Sequence, residues 1–378
     1  MIKLLHAADF HLDSAFSALP PDRASQRRQE QRLALQALSG LCREHGCDAV
    51  LLSGDLFDGV RVYRDTLDAL RQFFADCGAD VYIAAGNHDY LSPGSPYLTE
   101  RWPENVHLFP SEKITKYKQG QLHIYGASFT APEMPPLLEG FHAEDPQAVN
   151  VMVLHGELSP NSPYAPLTTA QIAASGLQYL ALGHVHAGSC ACAGKTTYAY
   201  PGCLMGRGFD ECGQKGALLV TLDGCLMGRG FDECGQKGAL LVTLDGCECR
   251  TEFLPIPTRR YELLEVPAGD DPLAAVLAAL PEDTQNDCYR ILLTGESDPV
   301  ALPSLERTLA PRFYSLSLRD RTLPKTDLWA GCGEDTLRGH FLQELKAAYD
   351  IADERTRRIL AQSARMTLAL MDGREVTL

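Results

Sequence analysis

The sequence predicts an α/β protein whose parallel strands carry polar residues at their carboxyl ends into one crevice. Two observations carry that prediction. Apolar, β-prone runs at residues 2–5, 49–52, 81–84, 149–154 and 179–182 stop abruptly, as buried parallel strands do. Each is followed at once by residues able to hold a divalent cation: Asp9-x-His11, Gly54-Asp55, Asn87-His88-Asp89, His155 and His184-Val185-His186. Open α/β sheets take ligands just beyond the carboxyl ends of their strands, so these tips would meet in one place. Gly54, Gly86, Gly156 and Gly183 lie at or beside them, where a sharp turn or a close backbone approach needs a residue without Cβ.

The elements follow in βα order. The first strand leads into a helix over residues 21–44, and the second into one over 63–76. Residues 92–146 are rich in proline and glycine and read as loops and short strands, including a strand at 122–127. A short helix over 168–175 precedes the last tip. After Pro255 and Pro257, residues 261–266, 272–280, 289–295, 301–309 and 313–318 read as βαβαβ, a small α/β module. Beyond Pro324, Leu337, Phe341 and Leu345 recur at helical spacing behind an Asp335 or Thr336 cap, and a second helix covers 354–371.

The polar tips suit one kind of chemistry. Two divalent ions about 3.5–4 Å apart can clamp the attacking and departing oxygens of an in-line displacement at phosphorus, and they need a bridging ligand. Asp55, alone at its strand tip with two carboxylate oxygens, is the best bridge. Imidazoles, carboxylates and an amide oxygen make a mixed nitrogen and oxygen shell suited to manganese, iron or zinc. A single D-x-H, or a lone histidine after an apolar strand, is usually a capped turn or a satisfied core histidine. The whole set in this order is not. His6, His45, His107, His123, His142 and His340 lack such company and read as structural or surface residues, although His6 precedes the site closely.

The strings Asp9-x-His11, Gly54-Asp55-x-x-Asp58, Gly86-Asn87-His88-Asp89, His155 and Gly183-His184-x-His186 resemble the calcineurin-like metallophosphoesterases. Within these, the run from His6 to Ser14 and the later Tyr200-Pro201-Gly202 resemble the SbcD-type DNA nuclease subunits of the YhaO-like branch. The resemblance implies a four-layer β-sandwich flanked by helices, with a small C-terminal α/β cap and a helical tail. It implies one divalent ion on Asp9, His11, Asp55 and His186 and a second on Asp55, Asn87, His155 and His184, manganese foremost, with iron or zinc as alternatives. His88 would act on the substrate, stabilising charge or protonating the leaving oxygen, with Asp89 as its orienting carboxylate. Asp58 would orient a ligand. The implied partners are DNA, an SMC-like coiled-coil ATPase docked on the C-terminal helices, and a second copy of the chain in a homodimer. The expected domains are 1–255 catalytic, 256–325 capping and 326–378 partner-binding. The rival readings are the same chemistry on a cyclic nucleotide or phosphoprotein, and a non-catalytic scaffold.

Composition limits the rest. At 378 residues the chain exceeds one ordinary core. No apolar stretch reaches membrane-spanning length and no signal-peptide pattern opens the chain, so a cytoplasmic protein without a membrane partner is expected. The 13 cysteines should then be reduced thiols. Cys190-x-Cys192 and Cys247-x-Cys249 are spaced too closely for a usual zinc clip and read as strand packing. A net charge of −15 opposes binding to a polyanion, so basic residues must act locally or a partner must supply them. The local clusters are Arg23, Arg27, Arg28 and Arg32, then Arg259 and Arg260, then Arg355, Arg357 and Arg358, each of which also reads as a solvated face.

Residues 203–224 recur without a change as 225–246. Solenoid units diverge and need more copies than this, so a recent duplication or an assembly error is the better account. Identical strands at 216–222 and 238–244 compete for one sheet position. Asp245-Gly246 is a hairpin signal that favours the second copy beside residues 247–254. Arg207 or its repeat Arg229 could reach a substrate phosphate, and identical loops do not distinguish them.

Overall fold

A computed structural model describes residues 2–59, 61–212, 215–222, 240–241, 249–324 and 328–371. The first strands are β1 (Ile2–Ala7), β2 (Ala49–Ser53), β3 (Asp80–Ala84) and β4 (Val106–Leu108). They are mutually parallel, and β1 also pairs antiparallel with β11 (Gly216–Leu222). Beyond β11 lie β13 (Cys249–Pro255) and the short β12 (Leu240–Leu241), completing a seven-stranded sheet. The second sheet has six strands: β5 (Thr115–Gln119), β6 (Leu122–Gly126), β7 (Val149–His155), β8 (Tyr179–Gly183), β9 (Ser189–Ala193) and β10 (Thr196–Tyr200). Its inner strands are parallel, with antiparallel β5 and β9 at the edges.

Alternation along the strands builds the layers. Leu4, Leu51 and Tyr82 of the first sheet pack with Ile124, Val151, Val153, Tyr179 and Ala181 of the second. The intervening residues, Leu5, Val50, Leu52, Val81 and Ile83, turn the other way onto α1 (Pro21–His45) and α2 (Arg64–Asp76), meeting Leu35, Leu38, Leu70, Phe73 and Phe74. On the far face of the second sheet, Met152, Leu154, Leu180 and Leu182 meet Leu138, Leu167 and Ile172, the last from α4 (Thr169–Ala174). Two sheets thus lie face to face between helical and loop layers. Strands buried on both sides need apolar residues at every position, which is why they read as continuous runs. Each fully buried Leu, Val or Phe contributes roughly 1.5–3 kcal/mol. Within residues 92–146 the chain makes only α3 (Pro96–Thr99) and the short strands β4, β5 and β6, as the proline and glycine content predicts.

The predicted βαβαβ order follows as β14 (Tyr261–Pro267), α5 (Pro272–Ala279), β15 (Cys288–Thr294), α6 (Leu302–Leu309) and β17 (Ser315–Asp320). Small strands β16 (Glu296–Ser297) and β18 (Leu323–Pro324) pair beside it. Contacts group the chain into two compact units, Met1–Leu264 with Glu282–Arg290 and Leu309–Ser317, and Glu265–Pro281 with Ile291–Thr308 and Leu318–Leu378. In the second unit α7 (Leu337–Ile351), capped by the Thr336 side chain, packs with α8 (Glu354–Met371). Among the described residues no helix is long and apolar enough to cross a membrane.

The repeat corrects an expectation. It is the first copy that fills the sheet: Gly216–Leu222 lies between β1 and β13, with Leu222 opposite Cys249 and Gly216 opposite Pro255. Of the second copy's strand, Leu240–Leu241 runs parallel along the far side of β13 rather than as the expected antiparallel hairpin. Asp245-Gly246 lies outside the described residues. The physical reason is continuity. With the first copy in the sheet, Pro201-Gly202 runs directly into a loop that Arg27 of α1 holds by donating to the Gly206 carbonyl at 2.8 Å. Arg27, expected in a solvated basic cluster, is instead fully buried and paired with Glu30.

Removing either copy yields one and the same shortened chain. In it, the register Leu222 opposite Cys249 closes over Asp223-Gly224-Cys247-Glu248, a two-residue turn with glycine at its first central position, the type II′ preference. The shortened chain should therefore melt at or above the temperature of the parent and keep its far-ultraviolet circular dichroism. A fall of several degrees in the calorimetric melting temperature would contradict this.

Candidate metal centre

The tips of β1, β2, β3, β7 and β8 bring together Asp9, His11, Asp55, Asn87, His155, His184 and His186 from both sheets. Ligand-type atoms of Asp9, His11 and His186 lie within 4.8 Å of one another, as do those of Asp9, Asp55 and His155. Asp55 Oδ2 sits 3.7 Å from His11 Nε2 and 3.5 Å from His155 Nε2, between the two halves of the cluster. Asn87 Oδ1 is 2.9 Å from His155 Nε2 and 3.2 Å from His184 Nδ1. Asp9 accepts from the His184 amide through both oxygens at 3.1 Å.

Backbone strain marks the same residues. Asp9, His11, Asp55 and His184 have φ of 53°, 43°, 52° and 102°, in a region that side chains other than glycine rarely adopt. Each such residue costs on the order of 1–3 kcal/mol and persists where the surroundings over-determine it. Glycines make the crowding feasible. A Cβ on Gly86 would collide with Asp55, and one on Gly183 with the Ser53 carbonyl.

The ring nitrogens are arranged for a cation. His11 Nδ1 faces Asp58 Oδ1 at 3.0 Å, His186 Nδ1 faces Glu211 Oε1 at 2.7 Å, and His155 Nδ1 faces the Ser53 carbonyl at 2.8 Å. Carboxylates and carbonyls only accept, so each Nδ1 donates, and the neutral His11 and His155 rings turn a bare Nε2 inward. His186 Nε2 stands 3.1 Å from that bare His11 Nε2. A cation lying against both nitrogens would be held by the two rings together. The donor set therefore fits divalent ions, with Asp55 poised to bridge.

Electrostatics agree. Burial, and then the Asp89 charge, push the Asp55 carboxyl up to about 7. Burial and then Asp55 raise Asp9 well above the usual carboxylate range. Burial lowers His11 to about 3 and both His155 and His184 to about 4, keeping the rings neutral and able to ligate. His6 is a structural histidine, fully buried between Tyr179 Oη at 2.8 Å and Ser53 Oγ at 2.9 Å.

Two expected roles change. Asp89 was expected to orient His88, but it is buried and takes amide protons from Gly86 (2.7 Å), Asp55 (3.2 Å), Leu56 (2.7 Å) and Phe57 (3.2 Å), and the hydroxyl of Tyr97 (2.5 Å). It fastens one tip loop to the next. His88, 45% exposed at the rim, has Asp58 at 3.8 Å and stands edge-on to the His11 ring at 4.8 Å. Arg207 is not left free for a substrate phosphate, because it donates to Asp58 at 3.0 Å and to Glu211 at 3.0 and 3.2 Å. Arg229 lies outside the described residues. For Asp58, burial is outweighed by the His11 hydrogen bond and the Arg207 charge, which hold its carboxyl below the usual value.

Glu211 was missed by sequence reasoning, as were Tyr164, tilted on the His184 ring at 4.8 Å, and Glu157, 3.8 Å from His184. Only the spacing Arg207-x-x-x-Glu211 could have hinted at the first.

Comparison with known proteins adds to this geometry. Residues 2–188 match the family described as calcineurin-like phosphoesterase. The uncharacterized metallophosphoesterase YhaO of Bacillus subtilis is 35% identical over 235 residues, covering 58% of this chain and 57% of that protein. The DNA double-strand break repair protein Mre11 of Aeropyrum pernix is 27% identical over 224 residues, covering 54% of each. The chain thus spans little more than half the length of these relatives. A dimetal phosphatase from Danio rerio is 12% identical, with a TM-score of 0.40 over 68% of this chain and 98% of that one.

A proton competes with the metal at Asp55 and Asp9. Asp55 is protonated in the metal-free fold below about 7, and Asp9 is likewise raised, well above the usual carboxylate range, so metal affinity should fall as pH drops through about 7, about tenfold per unit for each proton displaced. His11, lowered to about 3, and His155 and His184, lowered to about 4, add little in this range. Calorimetric titration of metal-free protein with manganese from about pH 8 to 6, in buffers of differing ionisation heat, should show proton release growing as pH falls. A flat affinity would contradict the protonated carboxyls.

Proposed function

Because residues 2–188 belong to the calcineurin-like phosphoesterase family, we propose that the chain is a two-metal-dependent phosphodiesterase, a DNA exonuclease or endonuclease subunit in repair. The observation that carries the metal chemistry is the pair of facing Nε2 atoms of His11 and His186, with Asp55 Oδ2 beside the first and Asp9 Oδ1 beside the second. When bound, the ions supply charge neutralisation at the phosphate and a water made acidic enough to attack. Asp9, His11, Asp55 and His186 would hold one and Asp55, Asn87, His155 and His184 the other, with manganese foremost. His88 stands at the rim, steered by Asp58, and would donate a proton to the leaving oxygen.

Similarity to a repair protein supports DNA as the substrate. Net charge of −15 works against it, and the arginines are mostly engaged: Arg32 with Asp13, Arg259 with Glu30, Arg260 with Asp287, and Arg357 on the last carbonyls of α7. We therefore assign most of the DNA-binding surface to a partner, an SMC-like coiled-coil ATPase. Residues 326–378 are the proposed docking element, where Ile351, Ile359 and Leu370 are exposed, and 256–325 the proposed cap. A cytoplasmic location and a homodimer belong to the same reading. The charge favours one second reading, a small non-DNA phosphodiester.

Manganese-dependent degradation of labelled DNA is the test. His88→Ala should retain both ions and lose about 10²–10⁴-fold in turnover, while Asp55→Ala should lose metal and activity together. Cleavage of a generic phosphodiester without attack on any DNA form would favour the second reading. Loss of metal in His88→Ala would refute its role on the substrate.

A further inference from the structure

The strongest unassigned feature is the start of the first repeat copy, residues 203–212. Glu211, only 6% exposed, receives His186 Nδ1 at 2.7 Å through one oxygen and the Arg207 amide at 2.8 Å through the other. The Arg207 guanidinium returns to Glu211 at 3.0 and 3.2 Å and reaches Asp58 at 3.0 Å. Asp58 in turn takes His11 Nδ1 at 3.0 Å. A single chain, His186, Glu211, Arg207, Asp58, His11, therefore fixes from behind the two rings whose Nε2 atoms face each other.

We infer that Glu211 is a positioning residue for the ion held by Asp9, His11, Asp55 and His186, and that the first copy of the repeat is the one that completes the site. This rests on the two-metal reading. Glu211 acts through the ring rather than as a ligand, because it meets the Nδ1 side of His186, away from Nε2. A separate cation among His186, Cys203 and Glu211, whose ligand atoms cluster within 4.8 Å, would lie against the Arg207 guanidinium and is disfavoured. The charge of Glu211 matters as much as its geometry. It balances Arg207, whose Nη2 is 3.5 Å from His186 Nδ1 and would otherwise place a positive charge behind a site meant for a dication. The same sequence supplies the counterpart Glu233 in the second copy.

The test uses the full chain with Glu211→Gln, Glu233→Gln and the double variant. Manganese binding is measured by calorimetry, the visible spectrum with cobalt, and melting without metal. Glu211→Gln should weaken one of two ions by about 10–100-fold, alter the cobalt spectrum, leave metal-free melting near the parent, and regain turnover at raised manganese. Glu233→Gln should match the parent, and the double variant should match Glu211→Gln. Parental affinity for both ions in Glu211→Gln, or an equal effect of Glu233→Gln, overturns the inference. Should Glu211→Gln not fold, Arg207→Lys, which keeps the charge and loses the fork, must weaken the same ion, and parental binding there overturns it equally. A parent chain that binds no metal would instead sink the two-metal reading itself.

Discussion

Bare imidazole nitrogens and buried carboxylates, gathered where strands of two sheets end, are mutually repulsive groups that a folded chain has no reason to assemble for its own stability. Asp55 Oδ2 stands 3.5 Å from one histidine nitrogen and 3.7 Å from another, and His11 and His186 face each other at 3.1 Å. Much of the surrounding structure opposes that repulsion. Gly86 and Gly183 let the tips approach, Asp89 ties the loops after β2 and β3 together, and four of the converging residues accept positive φ. The cost falls on the metal-free fold, and cations held by these donors would offset it.

What holds the tips is the sandwich itself. Strands whose alternate residues enter two different cores cannot slip without moving an apolar set out of register, so the ends of β1, β2, β3, β7 and β8 are fixed relative to one another. Tautomers are fixed one layer further out, by Ser53, Asp58 and Glu211. Placement thus passes from packing to backbone to hydrogen bond to donor atom.

The strand tips were legible because a strand buried on both faces leaves an unbroken apolar run, and the polar residues after it stand out. Helix ends followed from their spacing, with Pro21 and Gly46 at the ends of α1. Other features left no local trace. Asp89 looked like a partner for its neighbour His88, yet side-chain direction sent it into the loops. Arg27 looked like one of a basic cluster, yet it is buried against Glu30 and the Gly206 carbonyl. Glu211 acts across 25 residues on His186, a pairing that the order of the chain conceals. The repeat posed a question of placement that identical sequence cannot answer. Continuity from Gly202 into the site decided it.

Donors arranged in this way should hold two ions side by side. Electron paramagnetic resonance of the metal-free chain titrated with manganese tests it most directly. A magnetically coupled pair is expected, two ions per chain about 3.5–4 Å apart. A spectrum of isolated manganese at saturation, or a single ion per chain, would contradict it.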